Sequence, residues 1–341
     1  MSRVTVLIPN YNRSVTLDQC LRSVIAQSYT DWTVVVGDNA STDDSVALVE
    51  RIADRRIRLV RRPRTIGWVA NLNLLLGEVS GSEYIAVLHS DDWWEPDFLA
   101  TTVRLLEANP RSLIASTAVR RLGADGRIEI GGLHRFLAAS SNSTRSSIDA
   151  VRALAGGCRI FTPGVLSRAE LHARLGGYEE TLPQACDWLM WLRAAAVATV
   201  EISSEPLATY RIHEQSLTAQ LNRANLRGLD LVRMLLILKA EWRDCEPYPG
   251  AITALASAIM ADLLADAGQR AECGDREGML VAARLARLAA PSAWQAAFCS
   301  VVLGLLALTG LRALRSGQAG ILRIGRAAWH QSQRDQGSRA A

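Results

Sequence analysis

Lysine is almost missing from these 341 residues: Lys239 is the only one, so the basic charge is nearly all arginine. Arginine pairs well with phosphates, but a bias spread over the whole chain points to genome composition and not to a site. Excess charge is also scarce. A net charge of +4 is too small to imply nucleic acid as a partner. The six cysteines, at 20, 158, 186, 245, 273 and 299, lie far apart and form no CxxC pair, so neither a zinc site nor a disulfide framework is indicated. The N-terminal MSRVTVLIPNYN lacks the apolar length and the small-residue cleavage site of a signal peptide. A reducing cytoplasm is the expected setting. No internal repeat is present. Charged residues make up 21% and apolar ones 49%, which is a globular composition with enough material for one large domain or two.

What is present is an alternation of element types over the first hundred residues. VTVLI (4–8), TVVVG (33–37), IRLV (57–60) and YIAVL (84–88) are short apolar, β-branched runs, as expected of strands buried on both faces. Between them, Leu17, Leu21, Val24 and Ile25 recur at helical spacing. STDD (41–44) supplies capping residues for a second helix, and GWVANLNLLLGEV (67–79) reads as a third. This order predicts βαβ units and a doubly wound, mostly parallel α/β sheet. Ligands of such sheets bind beyond the carboxyl ends of the strands. Polar tips fall there: NYN after the first strand, DNAS after the second, HSDD after the fourth. From about 105 to 165 the pattern weakens into Gly-rich and Ser-rich stretches, and from about 215 onward it is nearly all helical.

Three features carry candidate chemistry. In YIAVLHSDDWWEPDF (84–98), Asp91 and Asp92 stand side by side before two tryptophans. Adjacent carboxylates near indoles ionise at a cost. They are either a solvated turn leading into a helix cap or a seat for a hard cation, Mg²⁺ or Mn²⁺, which keeps positions free for phosphate oxygens and water. Asp187 lies in TLPQACDWLMWLRAA (181–195), where it is either the N-cap of that helix or a general base. YRIHEQSLT (210–218) holds Arg211 and His213, and a lone histidine is as well explained by structure as by ligand contact.

Taken in order, VTVLIPNYN, DNASTDDS, IGWVANLN, YIAVLHSDDWWEPDFL, LGGYEE…CDWLMWLR and YRIHEQSLT resemble the family 2 glycosyltransferases with the GT-A fold, over about residues 1 to 217. The resemblance implies a Rossmann-like nucleotide-binding half in a 1–217 catalytic domain; the residue pattern, not the resemblance, gives a helical region over 218–341. It implies inverting, metal-dependent transfer of a sugar from a UDP- or dTDP-sugar to a glycan or lipid-linked hydroxyl, in cell-surface polysaccharide synthesis. By position, Pro9, Tyr11 and Asn12 match the loop around the nucleotide, and Asp38 and Asn39 match the pair that contacts the base. Gly67 and Asn73 match the G…N positions after the third strand. Asp91 and Asp92 match the end of the DxDD signature, whose acids hold ribose and metal. Asp187 matches the catalytic base, and His213 matches a histidine near the diphosphate or metal. Two residues depart from the family: His89 replaces the first Asp of DxDD, and Cys186 replaces the Glu before the base. These departures motivate a rival reading as a non-catalytic sugar-nucleotide binding module. A sugar-nucleotide pyrophosphorylase would want a Gly-rich phosphate loop, which NYNRS lacks.

From Pro291 to Leu311 there is no charged residue, close to the ~20 needed to span a bilayer. Arg312, Arg315, Arg323, Arg326 and Trp329 follow. Arginine beside apolar turns suits a helix lying on an anionic membrane surface. Peripheral attachment at the cytoplasmic face is expected ahead of soluble helical packing, and a true span last, since a span would carry the arginines to the far side.

Overall fold

The computed structural model describes residues 2–135, 143–224, 226–297 and 299–300. The chain opens as β1 (Val4–Asn10), α1 (Ser14–Ile25), β2 (Trp32–Asp38), α2 (Ser45–Arg51), β3 (Ile57–Arg61), α3 (Trp68–Leu76) and β4 (Tyr84–Val87). β1 outruns the apolar run that announces it, because Pro9 is tolerated. Leu7 and Pro9 face the β4 side, where the ladder ends with Leu88 N–H donating to the Leu7 carbonyl, so the N–H that proline lacks is not needed. On the β2 side pairing continues as far as Asn10 with Asp38.

The two tryptophans after the acid pair form β5 (Trp93–Trp94), and α4 (Phe98–Ala108) begins just beyond. Next come β6 (Ser112–Leu122), β7 (Ile128–Gly131), β8 (Ser143–Arg145), α5 (Ser147–Ala155), β9 (Val165–Arg168), α6 (Ala169–Leu175), α7 (Cys186–Val197) and β10 (Thr199–Arg211). The ten strands make one mixed sheet in the order β3-β2-β1-β4-β9-β6-β10-β5, with β7 on β6 and β8 on β10. β3, β2, β1 and β4 are mutually parallel, as are β6 and β10, and the short β9 runs antiparallel between β4 and β6. Parallel pairing thus accounts for most of the paired length. Strand order reverses at β1, which puts the switch point beside the polar tips of β1, β2 and β4.

One core lies under α1 and α4. Val4, Val6 and Ile8 of β1, Val34 and Val36 of β2, and Tyr84 and Ala86 of β4 meet Leu17, Leu21, Phe98 and Leu99 there. Each fully buried aliphatic side chain contributes about 1.5–3 kcal/mol. On the other face α3 comes so close to β2 that a Cβ at Gly37 would lie 2.7 Å from the Leu75 side chain. β6 is an eleven-residue strand in the stretch where periodicity weakens. Its apolar run is broken by buried hydroxyls that find partners inside the sheet, as Ser112 does on Glu201 at 2.6 Å.

The helical end comprises α8 (Leu217–Arg223), α9 (Leu226–Glu241), α10 (Ala251–Glu272) and α11 (Arg276–Ala289). The chain divides into two compact units, Met1–Leu221 with Asp244–Ala251, and Asn222–Arg243 with Ile252 onward. The first holds the whole sheet. In the second, Ala267, Ala271, Met279, Ala282 and Ala283 form a small core. α11 is capped by Asp275, whose carboxylate accepts the Gly278 N–H at 2.9 Å. Among the described residues α10 alone is long and apolar enough to cross a bilayer by length and composition, a test that helices of soluble cores also pass. The apolar run up to Leu311 and the arginines after it lie mostly outside the described residues.

Candidate active site

The tips of β1 and β2 are stitched together. Asn10 Nδ2 donates to Asp38 Oδ1 at 3.1 Å and to Ser41 Oγ at 3.2 Å, while Asp38 Oδ2 accepts the Ser41 N–H at 3.0 Å. Asn12, with φ of 51°, accepts the Thr42 N–H on its side chain at 2.8 Å. Asn39 ties β2 to the start of α3: its Oδ1 accepts from Ile66 N and its Nδ2 donates to the Gly67 carbonyl. Gly67, with φ of 82°, is the residue before α3. Pro9, Asp38 and Asn39 are buried, and Tyr11 stands 46% exposed over them. Asn73 lies further along α3, bonded to both the N–H and the carbonyl of Tyr178 at 2.8 Å. That side chain fastens the LGGYEE segment.

The acid pair is a turn, closed by Asp92 N–H donating to the His89 carbonyl at 3.0 Å. The end of β10 clamps it: Arg211 N–H donates to Asp92 Oδ1 at 2.9 Å, and Arg211 Nε donates to the Asp91 carbonyl at 3.1 Å. The same guanidinium lies over Trp93, 4.8 Å from the ring centre, and reaches Gln19 at 2.7 Å. The two acids face differently. Asp91 Oδ2 sits 3.1 Å from His213 Nε2 and 3.8 Å from Arg13 Nε. Asp92 is buried, with Oδ2 lacking a hydrogen-bond partner and 3.8 Å from His89 Nδ1. Burial first, and the Asp91 charge second, push the Asp92 carboxyl well above the usual carboxylate range, against the pull of the Arg211 N–H. His89 meets Trp68 edge-on at 5.6 Å, and burial lowers its pKa.

These positions fit a hard cation at Asp91. Two donor atoms on adjacent positions of one Mg²⁺ or Mn²⁺, each about 2.1 Å from the ion, stand roughly 3 Å apart, as Asp91 Oδ2 and His213 Nε2 do. Among the described residues no group of three His, Cys, Asp or Glu could hold an ion. An ion held by Asp91 and His213 would take its remaining positions from phosphate oxygens and water.

Asp187 lies in the first turn of α7, whose Trp188, Leu189, Met190, Trp191 and Leu192 are buried. Oδ1 accepts the Trp188 N–H at 2.6 Å and Oδ2 accepts the Thr162 hydroxyl at 3.3 Å. Burial raises this carboxyl to about 6, opposed by hydrogen bonds from the Trp188 N–H, the Thr162 hydroxyl and its own backbone N–H. Tyr210 of β10 is pushed up to about 12 by burial first, and also by the charges of Asp92, Asp91 and Asp187. Trp68 donates its indole N–H to the Pro183 carbonyl just before α7 at 2.8 Å.

The model of the family described as Glycosyl transferase family 2 matches residues 5–168, from β1 through β9. These residues belong to glycosyl transferase family 2. Among family-like relatives, Escherichia coli WfgD, a UDP-Glc:alpha-D-GlcNAc-diphosphoundecaprenol beta-1,3-glucosyltransferase, is 31% identical over 106 residues. That match covers 31% of this chain and 42% of WfgD, so less than half of the relative's length is spanned. The S. aureus TarS 1-349 structure in complex with UDP-GlcNAc aligns at a TM-score of 0.65 and 16% identity, over 97% of this chain and 92% of that one. The Pyrobaculum calidifontis mannosyltransferase PcManGT, in complex with GDP-Man and Mn²⁺, aligns at 0.56 and 22% identity, over 96% and 86%. Both share the fold. Two residues of this glycosyltransferase's site escaped sequence reasoning. Arg13 follows NYN directly, where a cation beside a diphosphate site could have been suspected. Thr162 gives no local signal at all.

Proposed function

We propose that this glycosyltransferase moves a sugar from a nucleoside diphosphate, a UDP- or dTDP-sugar, to a hydroxyl of a glycan or lipid-linked acceptor, with inversion and with a divalent cation. The observation that carries it is a pair of acid groups: Asp91 in a turn clamped to the end of β10, 3.1 Å from His213, and Asp187, a buried carboxyl raised to about 6 at the start of α7. Asp187 takes the proton of the attacking hydroxyl, and one base with one displacement inverts the anomeric carbon. Asp91 and His213 hold the cation, which when bound supplies charge neutralisation for the departing diphosphate. Arg13 adds positive charge on the same side. Asp92 is read as the anchor of the acid turn to β10 more than as a ligand, since its free oxygen is buried. The loops bearing Pro9, Tyr11, Asn12, Asp38, Asn39 and Gly67 receive the nucleoside, with Asn73 holding the wall behind them.

The nucleotide-sugar donors in the TarS and PcManGT complexes, and the diphosphoundecaprenol acceptor in the name of WfgD, support this substrate class and a role in cell-surface polysaccharide synthesis. His89 and Cys186, both departures from the family's acidic pattern, favour the second reading, a module that binds donor without turnover. Transfer and donor-hydrolysis assays on the purified protein with Mn²⁺ and a panel of UDP- and dTDP-sugars separate the two. Turnover lost in Asp187→Asn supports catalysis, and donor binding with neither transfer nor hydrolysis overturns it.

A further inference from the structure

The turn Thr162–Gly164 stands between the acid motif and Asp187, and each of its residues is fixed. The indole N–H of Trp94 donates to the Pro163 carbonyl at 2.6 Å. Trp94 is itself immobilised, 3% exposed and stacked on Phe98 at 4.3 Å. Gly164 N–H closes the turn on the Phe161 carbonyl at 2.9 Å. A Cβ at Gly164 would lie 2.6 Å from Val119 and 3.3 Å from the Thr117 carbonyl, so only glycine lets the turn press this closely on β6. Held in this way, Thr162 is 5% exposed and donates its hydroxyl to Asp187 Oδ2.

We propose that Thr162 is a positioning residue for Asp187, and that Trp94, through the Pro163 carbonyl, sets the turn that presents it. The inference rests on Asp187 being the base. With only the backbone to hold it, the Trp188 N–H on Oδ1 and the N–H of Asp187 itself, the carboxylate could still swing about its Cβ–Cγ bond. A second donor on Oδ2 fixes its plane, so the lone pair aimed at the acceptor hydroxyl is already in place, and small misplacements of such groups are costly. The second tryptophan of SDDWW thereby links the diphosphate side of the site to the base. The titratable groups facing Asp187 are Cys186 on its own helix, Tyr178 before that helix and Tyr210 of β10. Burial drives both phenols upward, so they stay neutral where the carboxyl titrates.

The test uses the full-length protein. Thr162→Val keeps the shape and removes the hydroxyl. At pH 8 it is expected to lower kcat roughly 10-fold with donor KM unchanged, and to move the acid limb of kcat up by about one pH unit, the effect of losing one hydrogen bond to an ionised group. Thr162→Ser restores both. Thr162→Ala, read the same way, serves if the valine variant folds poorly. A fall in rate with an unmoved acid limb and no rescue by serine overturns the proposal, because loosened packing alone gives that result. Asp187→Asn runs alongside: if it retains the rate, the base assignment itself is wrong. If it is inactive while Thr162→Val keeps the wild-type limb, only the positioning role fails. Trp94→Phe should give the same pattern more weakly, and the double variant should be no slower than Thr162→Val alone. Full additivity of the two losses overturns the link through Trp94.

Discussion

Asp187, the proposed base, joins a cost to the fold with a use in the reaction. Its carboxyl is raised from 3.8 to about 6, because burial outweighs three hydrogen bonds. The sign follows directly. A raised folded-state pKa means that the neutral form is favoured, so the fold is most stable below the ordinary value and loses that stability as pH rises through about 6. Asp187→Asn is therefore expected to keep or raise the unfolding free energy at pH 8, by at most about 3 kcal/mol, while kcat falls roughly 10²–10⁴-fold. Asparagine can still accept the Trp188 N–H and bond Thr162, so the fold should tolerate it. Thermal denaturation and a transfer assay on one preparation check both. In the wild-type enzyme, kcat should decline below about pH 6 as the base is protonated, which a pH–rate profile measures. A profile flat from pH 5 to 8 would remove Asp187 from the chemistry.

At the scale of elements, the meeting of the acid turn with the end of β10 separates two adjacent aspartates that look equivalent in sequence. Asp91 faces His213 and Arg13, whereas Asp92 holds the Arg211 N–H inside the protein. Asp91→Asn should weaken Mn²⁺ binding in the presence of nucleoside diphosphate, read by calorimetry, with little change in melting temperature. Asp92→Ala should do the reverse first. It leaves a buried N–H unpaired, at a cost of about 1–3 kcal/mol, and loosens His213 only as a consequence. Equal loss of ion affinity and equal stability in the two variants would show that Asp92 is a direct ligand. In the same way β9, four residues long, converts the sheet from its parallel nucleotide half to the β6–β10 half, and the turn before β9 carries Thr162 to the base.

At the scale of the molecule, the first unit holds the sheet and the proposed chemistry, while the second is helical and ends in an apolar, then arginine-rich stretch. If that stretch docks on an anionic surface, the full chain should sediment with membranes and be released by high salt or mild detergent. A chain ending at Ala290 should stay soluble. Recovery of the intact protein from the cytosolic fraction at low salt would end the attachment idea.

Local sequence settled whatever depends on neighbours a few residues apart. The β-branched runs gave four parallel strands, the helical spacing gave α1 to α3, and strand–helix alternation put NYN, DNAS and HSDD at one edge. What it left open depends on partners far along the chain. β6 went unseen because its buried serines and threonine break the apolar pattern, and Glu201, the partner of Ser112, is 89 residues away. Asp92 meets its donor 119 residues on, and Trp94 meets Pro163 after 69. Periodicity reports which face of an element is apolar. It carries no information on which buried polar group will satisfy another, and only the closed sheet decided that Asp91 faces His213 and Arg13, Asp92 the Arg211 N–H, and Thr162 Asp187.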